Sequence, residues 1–213
     1  TLGIEMRRAG IEMYRLISDL HQARGENALA KAGSQEAEAL LDGMKKQDRR
    51  DLDLAQERKR IASLNVDLGE FKKAREVADS ALRAIPDSNS REGKMLRDEI
   101  NAVISETFEG EENNLSAVSE LRIAANLMSL LGEIPKPQRR WHGKLESRLA
   151  RLCESIGENE SLKRSESYRQ SAIWRWQDLL EEDTNDAGLR KKLAWEYYAM
   201  CQLLVEQKRY FEP

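Results

Sequence analysis

The stretch "IASLNVDLGE", Ile61 to Glu70, recurs twice in altered form, as "AANLMSLLGE" at Ala124 to Glu133 and "LARLCESIGE" at Leu149 to Glu158. Each copy reads alanine, one variable residue, leucine, three variable residues, an aliphatic residue and then Gly-Glu. Glycine is common directly after a helix, because it adopts the left-handed conformation that closes the helix without a side-chain clash. The three copies therefore predict three helix ends in a stack of similar helical hairpins.

The composition predicts an all-α chain. Of the 213 residues, 40% are hydrophobic, 34% are charged and only 6% are aromatic, which is typical of exposed helices. Long alternating runs of β-branched residues, from which a sheet is built, are absent. No segment is rich enough in Gly, Ser or Pro to form a long linker, so we predict one domain over residues 1–213. Because the chain begins at Thr1 and stops at "RYFEP", we expect a fragment of a longer protein.

The charge balance argues against a general attraction to polyanions. With 35 basic and 38 acidic residues, the net charge is -3, which gives no global field for nucleic acid or an anionic membrane. No apolar run approaches the roughly 18 residues that a membrane span needs. Cys153 and Cys201 lie in Leu-rich, helical surroundings, so we expect two reduced core thiols in a cytoplasmic protein.

The first helical segment carries one apolar stripe with alternating spacings of four and three residues. Such a stripe normally packs onto the next helix, and a coiled-coil or dimer contact is the alternative. The stripe consists of Leu2, Met6, Ala9, Met13, Leu16 and Leu20.

Helix punctuation predicts nine helices and the start of a tenth. The third segment ends at Gly69, the fourth stops before Pro86, and Ser90 is a candidate N-cap of the fifth. The final "KRYFEP" has the appearance of a turn into another helix. Consecutive helices joined by short polar turns pack antiparallel, either as a bundle or as a solenoid of hairpins.

Residues 55–88 resemble the tetratricopeptide repeat in the order and spacing of small and aromatic residues. Arg58 and Asn65 stand where that repeat usually has Trp and Tyr. The last segment resembles the first half of the repeat again, with Tyr197, Met200, Cys201 and Leu204 in the four positions. The matching positions of the first stretch are Gly69, Phe71, Ala74, Ala78, Ala81 and Pro86.

The resemblance implies a solenoid of about four and a half antiparallel hairpins whose concave face binds a protein or peptide. Degenerate arrays of this kind are similar to those attached to bacterial signalling proteins, such as eukaryotic-like serine/threonine kinases. In the repeat the first helix of each hairpin lines the concave face. The register then places eight residues there, namely Lys59, Ser63, Lys144, Ser147, Arg151, Trp195, Tyr198 and Gln202.

These residues predict the chemistry of the partner. Lys and Arg pair with carboxylates, while Trp and Tyr bury apolar side chains at low entropic cost. We therefore expect a groove with cations at one end and aromatics at the other, which binds an acidic peptide carrying an aromatic or aliphatic anchor.

Two other functions remain open. A closed helical bundle would serve as a dimerisation module, so a homodimer is an alternative assembly. The stretch "KPQRRWHGK", Lys136 to Lys144, sets five cationic residues around Trp141 and is a candidate phosphate or nucleic-acid site. Its other interpretation is an exposed loop between helices with Trp141 packed inward.

Catalysis is not expected. His21 and His142 are the two histidines, and neither forms a recognisable nucleophile arrangement with Cys153 or Cys201. None of these four residues has the close pairing that a structural zinc site prefers. We expect no enzymatic activity, no cofactor and no metal.

Overall fold

The computed structural model describes residues 2–43, 52–85, 90–129 and 136–211, and within these ranges the regular structure is entirely α-helical. The prediction of an all-α chain is confirmed. The helices are α1 (Leu2–Ala23), α2 (Asn27–Asp42), α3 (Leu52–Asp67), α4 (Phe71–Ala84), α5 (Arg91–Gly110), α6 (Asn114–Ser129), α7 (Lys136–Ile156), α8 (Asn159–Glu182) and α9 (Ala187–Phe211).

The first compact unit spans Thr1–Asn113 and contains α1 to α5. Helix α1 pairs with α2 and α3 pairs with α4, while α3 also packs on α1 and α2, and α5 packs on both α3 and α4. One apolar cluster joins Ile11 of α1, Leu41 of α2 and Ile61 of α3. A second cluster joins Ala78 of α4 and Ile100 of α5. Helices α3 and α5 therefore each pack on the hairpin before them.

The second compact unit spans Asn114–Pro213 and contains α6 to α9, each packed on the next. One apolar cluster of this unit is formed by Ala172, Trp176 and Leu179 of α8 with Leu189 of α9. In each unit, helices that follow one another in the chain pack against one another. The predictions of a solenoid and of a single domain over residues 1–213 stay predictions.

The recurring Gly-Glu motif ends helices at two of its three copies. Gly69 follows α3 with φ +75°, and Gly157 follows α7 with φ +73°, a region where a β-carbon is strained. Gly132 lies outside the described residues. The middle copy begins on α6, an even-numbered helix, whereas the other two end odd-numbered helices. The two copies whose glycines are described therefore mark helix ends, and the three copies do not share one position in a hairpin.

The small residues that match the tetratricopeptide pattern are buried at helix contacts. Ala74, Ala78 and Ala81 of α4 are fully buried, so the backbones of neighbouring helices approach closely there. The two departures from the pattern are buried as well. The Asn65 side-chain amide donates to Glu38 Oε1 at 3.0 Å, and Arg58 is almost completely buried. Polar side chains thus occupy the places that large aromatics fill in the repeat.

The apolar stripe of α1 does not pack on α2, contrary to the prediction. The side chains of Met6, Met13, Leu16 and Leu20 are each about half exposed or more. Helix α2 lies against the opposite face, where Ser18 is buried and donates a hydrogen bond to the Ala30 carbonyl. Small residues there allow a closer approach than the larger stripe would.

Two expectations about the last helix are also wrong. Helix α9 continues through Phe211, so the described part of "KRYFEP", residues 208–211, is helix rather than the predicted turn, and Lys208 stands where the repeat has the glycine that ends a helix. Cys153 is buried as expected, but Cys201 is exposed rather than in the core. Ser90 does cap α5, because its Oγ accepts from the Gly93 N–H at 3.1 Å.

Among the described residues, no helix combines the length and the apolarity that crossing a membrane requires.

Candidate functional site

A groove of about 610 Å³ lies in the second unit, with walls from α7 and α9 and a floor from α8. Its wall residues repeat with the spacing of one helix face, at i, i+3, i+4 and i+7. On α7 these are Lys144, Ser147, Arg148 and Arg151, and on α9 they are Gly188, Lys191, Lys192 and Trp195.

The floor of the groove is built on a close contact between α7 and α8. The buried indole of Trp176 lies against Gly143, where a β-carbon would stand 2.8 Å from the ring. Only glycine permits this approach, because real β-carbons do not come so near. The Lys192 ammonium lies 5.1 Å from the centre of the Trp176 ring, a cation–π distance. The floor is thus aromatic and overlaid by a positive charge.

A buried ion-pair network below the groove joins α7, α8 and α9. Arg169 of α8, which is 3% exposed, donates through Nε and Nη2 to both oxygens of Glu154 on α7, at 2.6 and 2.7 Å. Its Nη1 donates to Glu196 Oε2 on α9 at 2.9 Å. Burial opposes the charge of Arg169, but the hydrogen bonds and charge of Glu154, with those of Glu196, hold its pKa above the usual value. Bidentate pairs of this kind fix geometry as well as charge.

Four cations on the groove walls differ from Arg169 in their surroundings. Within the described residues, no carboxylate forms an ion pair with Lys144, Arg151, Lys191 or Lys192. Burial, and then the positive charges of Lys144 and Arg140, lower the pKa of Lys192. Several positive charges therefore repel one another across the groove, which favours the entry of an anion.

Half of the predicted partner-binding residues line this groove. Lys144, Ser147 and Arg151 lie on its α7 wall and Trp195 on its α9 wall. The ring of Tyr198 lies beside that of Trp195, with centroids 5.8 Å apart.

The other predicted residues lie outside the lining. Gln202 donates to the Tyr198 hydroxyl at 2.7 Å, and both are exposed on α9 next to the groove. Lys59 and Ser63 belong to α3 in the first unit, where the Lys59 ammonium pairs with Glu99 of α5.

The sequence prediction missed the floor and the cationic part of the α9 wall. Lys191 and Lys192 precede Trp195 by one turn, so the predicted separation of cations and aromatics at opposite ends is wrong. The helical spacing back from Trp195 was the available signal for both lysines. Arg169 and Trp176 had no comparable signal, because their place under the groove depends on how α8 packs.

The stretch from Lys136 to Lys144 is not a loop but the beginning of α7. Pro137 stands in the first turn, where a missing N–H costs nothing. Arg139 pairs with Asp178 at 2.6 Å and with Glu182, and Arg140 pairs with Asp186.

His142 of the same stretch is buried, and burial together with the charge of Arg175 lowers its pKa to about 4. Two arginines and one histidine of the stretch are therefore neutralised or inaccessible, which weakens its interpretation as a phosphate site. Across the described ranges, no cluster of three His, Cys, Asp or Glu side chains is arranged to hold a metal ion.

Comparison with known proteins supports the fold alone. No family model matches the chain, and a search of curated proteins finds no relative. The crystal structure of BtubC (BKLC) from P. vanneervenii is similar, with a TM-score of 0.62 and 19% sequence identity over 95% of this chain and 80% of that chain. Helices in this order therefore occur in a solved protein of very different sequence.

Proposed function

We propose that this chain is a protein-interaction scaffold of the tetratricopeptide type, a cytoplasmic module of a larger signalling protein. Its groove between α7 and α9 binds an acidic peptide segment that carries one apolar anchor. The observation that carries this proposal is the set of unpaired cations, Lys144, Arg151, Lys191 and Lys192, around an aromatic floor and wall.

The charges select the partner. A ligand carboxylate that enters between Lys144 and Lys192 relieves their mutual repulsion and gains charge-assisted hydrogen bonds. The carboxylates of Glu154 and Glu196 are hydrogen-bonded to Arg169. Glu196 also lines the groove and offsets part of the repulsion on Lys192, but it forms no ion pair with that lysine among the described residues. An acidic segment is therefore the complementary ligand.

The aromatics supply the anchor site. Trp195 is 62% exposed on the groove wall, and covering its ring with an aliphatic or aromatic side chain removes apolar surface from water. The volume of about 610 Å³ falls in the usual range of ligand pockets, about 300–1,000 Å³. It suits a few side chains of a peptide rather than a broad protein surface.

Fluorescence anisotropy with a short labelled peptide tests the proposal. The probe carries aspartates and glutamates around one leucine, and its control carries lysines around the same leucine. The double variant Trp195→Ala, Arg151→Glu should weaken acidic-probe binding by about a hundredfold, because it removes the anchor contact and inverts one charge. The matched control Trp174→Ala, Lys163→Glu changes an exposed tryptophan and lysine of α8 outside the groove and should bind as the wild type does.

Three outcomes contradict the proposal. Equal binding of both probes would show that charge does not select the ligand. Unchanged binding by the groove variant, with helical circular dichroism retained, would place the site elsewhere. Salt-sensitive binding of single-stranded RNA that exceeds binding of the acidic probe would favour a nucleic-acid function.

A further inference from the structure

Helix α1 has two opposite faces, one buried in the first unit and one exposed. Ile11 and Ser18 are buried against the unit. On the other side, Met6, Ala9, Met13, Leu16 and Leu20 follow the spacing of coiled-coil a and d positions, with Met6, Met13 and Leu20 at a and Ala9 and Leu16 at d. The four large side chains of this set are 50–68% exposed. We name it the α1 seam.

The charges beside the α1 seam have one sign. Glu5, Glu12 and Asp19 occupy successive g positions along one edge of the seam. Asp19 pairs with Arg15 of the same helix at 2.6 Å, whereas no described basic side chain pairs with Glu5 or Glu12. The edge therefore presents two uncompensated carboxylates.

The arginines of α1 contact other parts of the first unit. Arg7 donates to the Gly43 carbonyl after α2, Arg8 lies 3.5 Å from Asp53 of α3, and Arg15 Nε lies 3.7 Å from Glu57 of α3. They hold α1 to its own unit. The basic residues of the helix are thus engaged, and the acidic edge is left for a partner.

We propose that the α1 seam docks an amphipathic helix of another protein segment, with apolar a and d residues flanked by Lys or Arg. The apolar residues of that helix cover the seam, and its cations face Glu5 and Glu12. This second interaction surface is independent of the groove between α7 and α9.

A second copy of this chain is a poorer occupant. In a parallel pair of α1 helices, Glu5 and Glu12 of one copy would face Gly10 and Ile17 of the other at the e positions. In an antiparallel pair the glutamates would face one another. Neither arrangement supplies a cation, so charge complementarity selects a basic partner helix over self-association.

Binding of two designed peptides to the full chain tests the proposal. Both peptides span about three heptads with leucine at a and d, and one has lysine at every e and g position while the other has glutamate. Like charges at those positions keep each peptide from pairing with itself. We expect the lysine peptide to bind at least about tenfold more tightly than the glutamate peptide at low salt.

Two variants assign the binding to the α1 seam. Met13→Glu, Leu16→Glu should abolish binding, whereas Leu29→Glu, Leu115→Glu, which alters two exposed leucines off the seam, should leave it unchanged. Glu5→Lys, Glu12→Lys should reverse the preference, so that the glutamate peptide binds more tightly than the lysine peptide. Circular dichroism shows whether each variant remains folded.

The proposal is overturned by three results. Failure of the wild type to bind either peptide, or equal binding of both, would show that the seam does not select a basic helix. Sedimentation as a dimer that Met13→Glu, Leu16→Glu converts to a monomer would identify a second copy as the occupant.

Discussion

Each unit sets charged side chains of two odd-numbered helices opposite each other, but the charge arrangements are opposite: α3 packs directly on α5, whereas α7 and α9 form the two walls of a groove. In the first unit, Lys59 of α3 faces Glu99 of α5, and the two form an ion pair. In the second unit, Lys144 of α7 faces Lys192 of α9, and the two repel each other. Both pairs join odd-numbered helices separated by one helix. The opposite charges stabilise the first unit, whereas the like charges of the second unit form a surface that is complementary to an anionic ligand.

The units also differ in the direction in which burial shifts the pKa of one buried group in each. Asp98 of α5 is fully buried, and neither carboxylate oxygen has a hydrogen-bond partner among the described residues. Burial, and then the charge of Glu99, raise its pKa to about 8. His142 of α7 is buried with its pKa lowered to about 4. The two units should therefore respond to pH in opposite directions.

The largest expected effect comes from the network under the groove. Arg169→Met leaves Glu196 buried without its partner and should lower the free energy of unfolding of the second unit by about 3–5 kcal/mol. All four tryptophans, Trp141, Trp174, Trp176 and Trp195, lie in that unit, so urea unfolding followed by tryptophan fluorescence measures it selectively. When Glu196→Gln and Glu154→Gln are combined with Arg169→Met, much of the lost free energy of unfolding should be restored. An unchanged free energy of unfolding in Arg169→Met alone would show that the network does not stabilise the second unit.

Asp98→Asn should change the pH dependence of the first unit. The pKa of Asp98 is about 8 in the folded chain and near 3.8 when unfolded, so folding binds a proton between these values. Stability is then highest below about pH 4 and falls as the pH rises to about 8. Above that pH the variant should be more stable than the wild type, by on the order of 3 kcal/mol. Urea unfolding followed by circular dichroism at about pH 5 and about pH 9 measures the difference. If the wild type and the variant lost the same free energy of unfolding between these two pH values, Asp98 would be solvated.

His142→Asn should have the opposite effect in the second unit. The folded pKa of His142 is about 4 and its ordinary value is 6.5, so unfolding binds a proton between these values. The wild type therefore loses stability as the pH falls from about 6.5 to about 4, by about 2 kcal/mol, and the variant should lose less. Tryptophan fluorescence again follows the second unit. An acid transition that remains the same in the variant would assign it to other groups.

Much of the fold follows from local signals in the sequence. Gly69 and Gly157 stop helices because of their backbone conformation, and Ser90 caps α5 through its own hydroxyl, so neither feature depends on distant residues. The α1 seam was harder to place, because periodicity identifies an apolar face but not what covers it. Helix α2 packs on the side of Ser18, where the small side chains permit a close approach.

The walls of the groove could be predicted and its floor could not. Lys144, Arg151 and Trp195 follow from helical spacing once a register is chosen. Trp176 lies in the floor because Gly143 of another helix leaves room for its ring, and this depends on two distant positions. Arg169 is similar, since its two carboxylate partners lie on α7 and α9. Such contacts are set by packing, which a single sequence does not specify.

Lys192→Glu should give the second unit the charge arrangement of the first. The new carboxylate would pair with Lys144, as Glu99 pairs with Lys59, and close the cationic groove. We expect acidic-peptide affinity to fall by at least about tenfold with little change in stability. Lys163→Glu is the matched control, because Lys163 is exposed on α8 outside the groove lining. If the two variants bound alike, net charge rather than the groove would govern binding.

The smallest effect is expected from opening the pair in the first unit. Glu99→Gln removes the partner of Lys59, and because Glu99 is partly exposed the cost should be under about 1 kcal/mol. The same change removes a charge that raises the pKa of Asp98, so the loss of stability with rising pH should end at a lower pH and be smaller than in the wild type. The freed Lys59 should not bind the acidic peptide, because one cation supplies little affinity without the apolar anchor that Trp195 provides in the groove. Anisotropy measured on Glu99→Gln combined with Trp195→Ala, Arg151→Glu isolates the first unit. Strong binding of the acidic peptide by this combined variant would mean that an unpaired cation alone makes a ligand site. The two units would then differ in ligand binding because Glu99 neutralises Lys59, and not because the second unit has an aromatic groove.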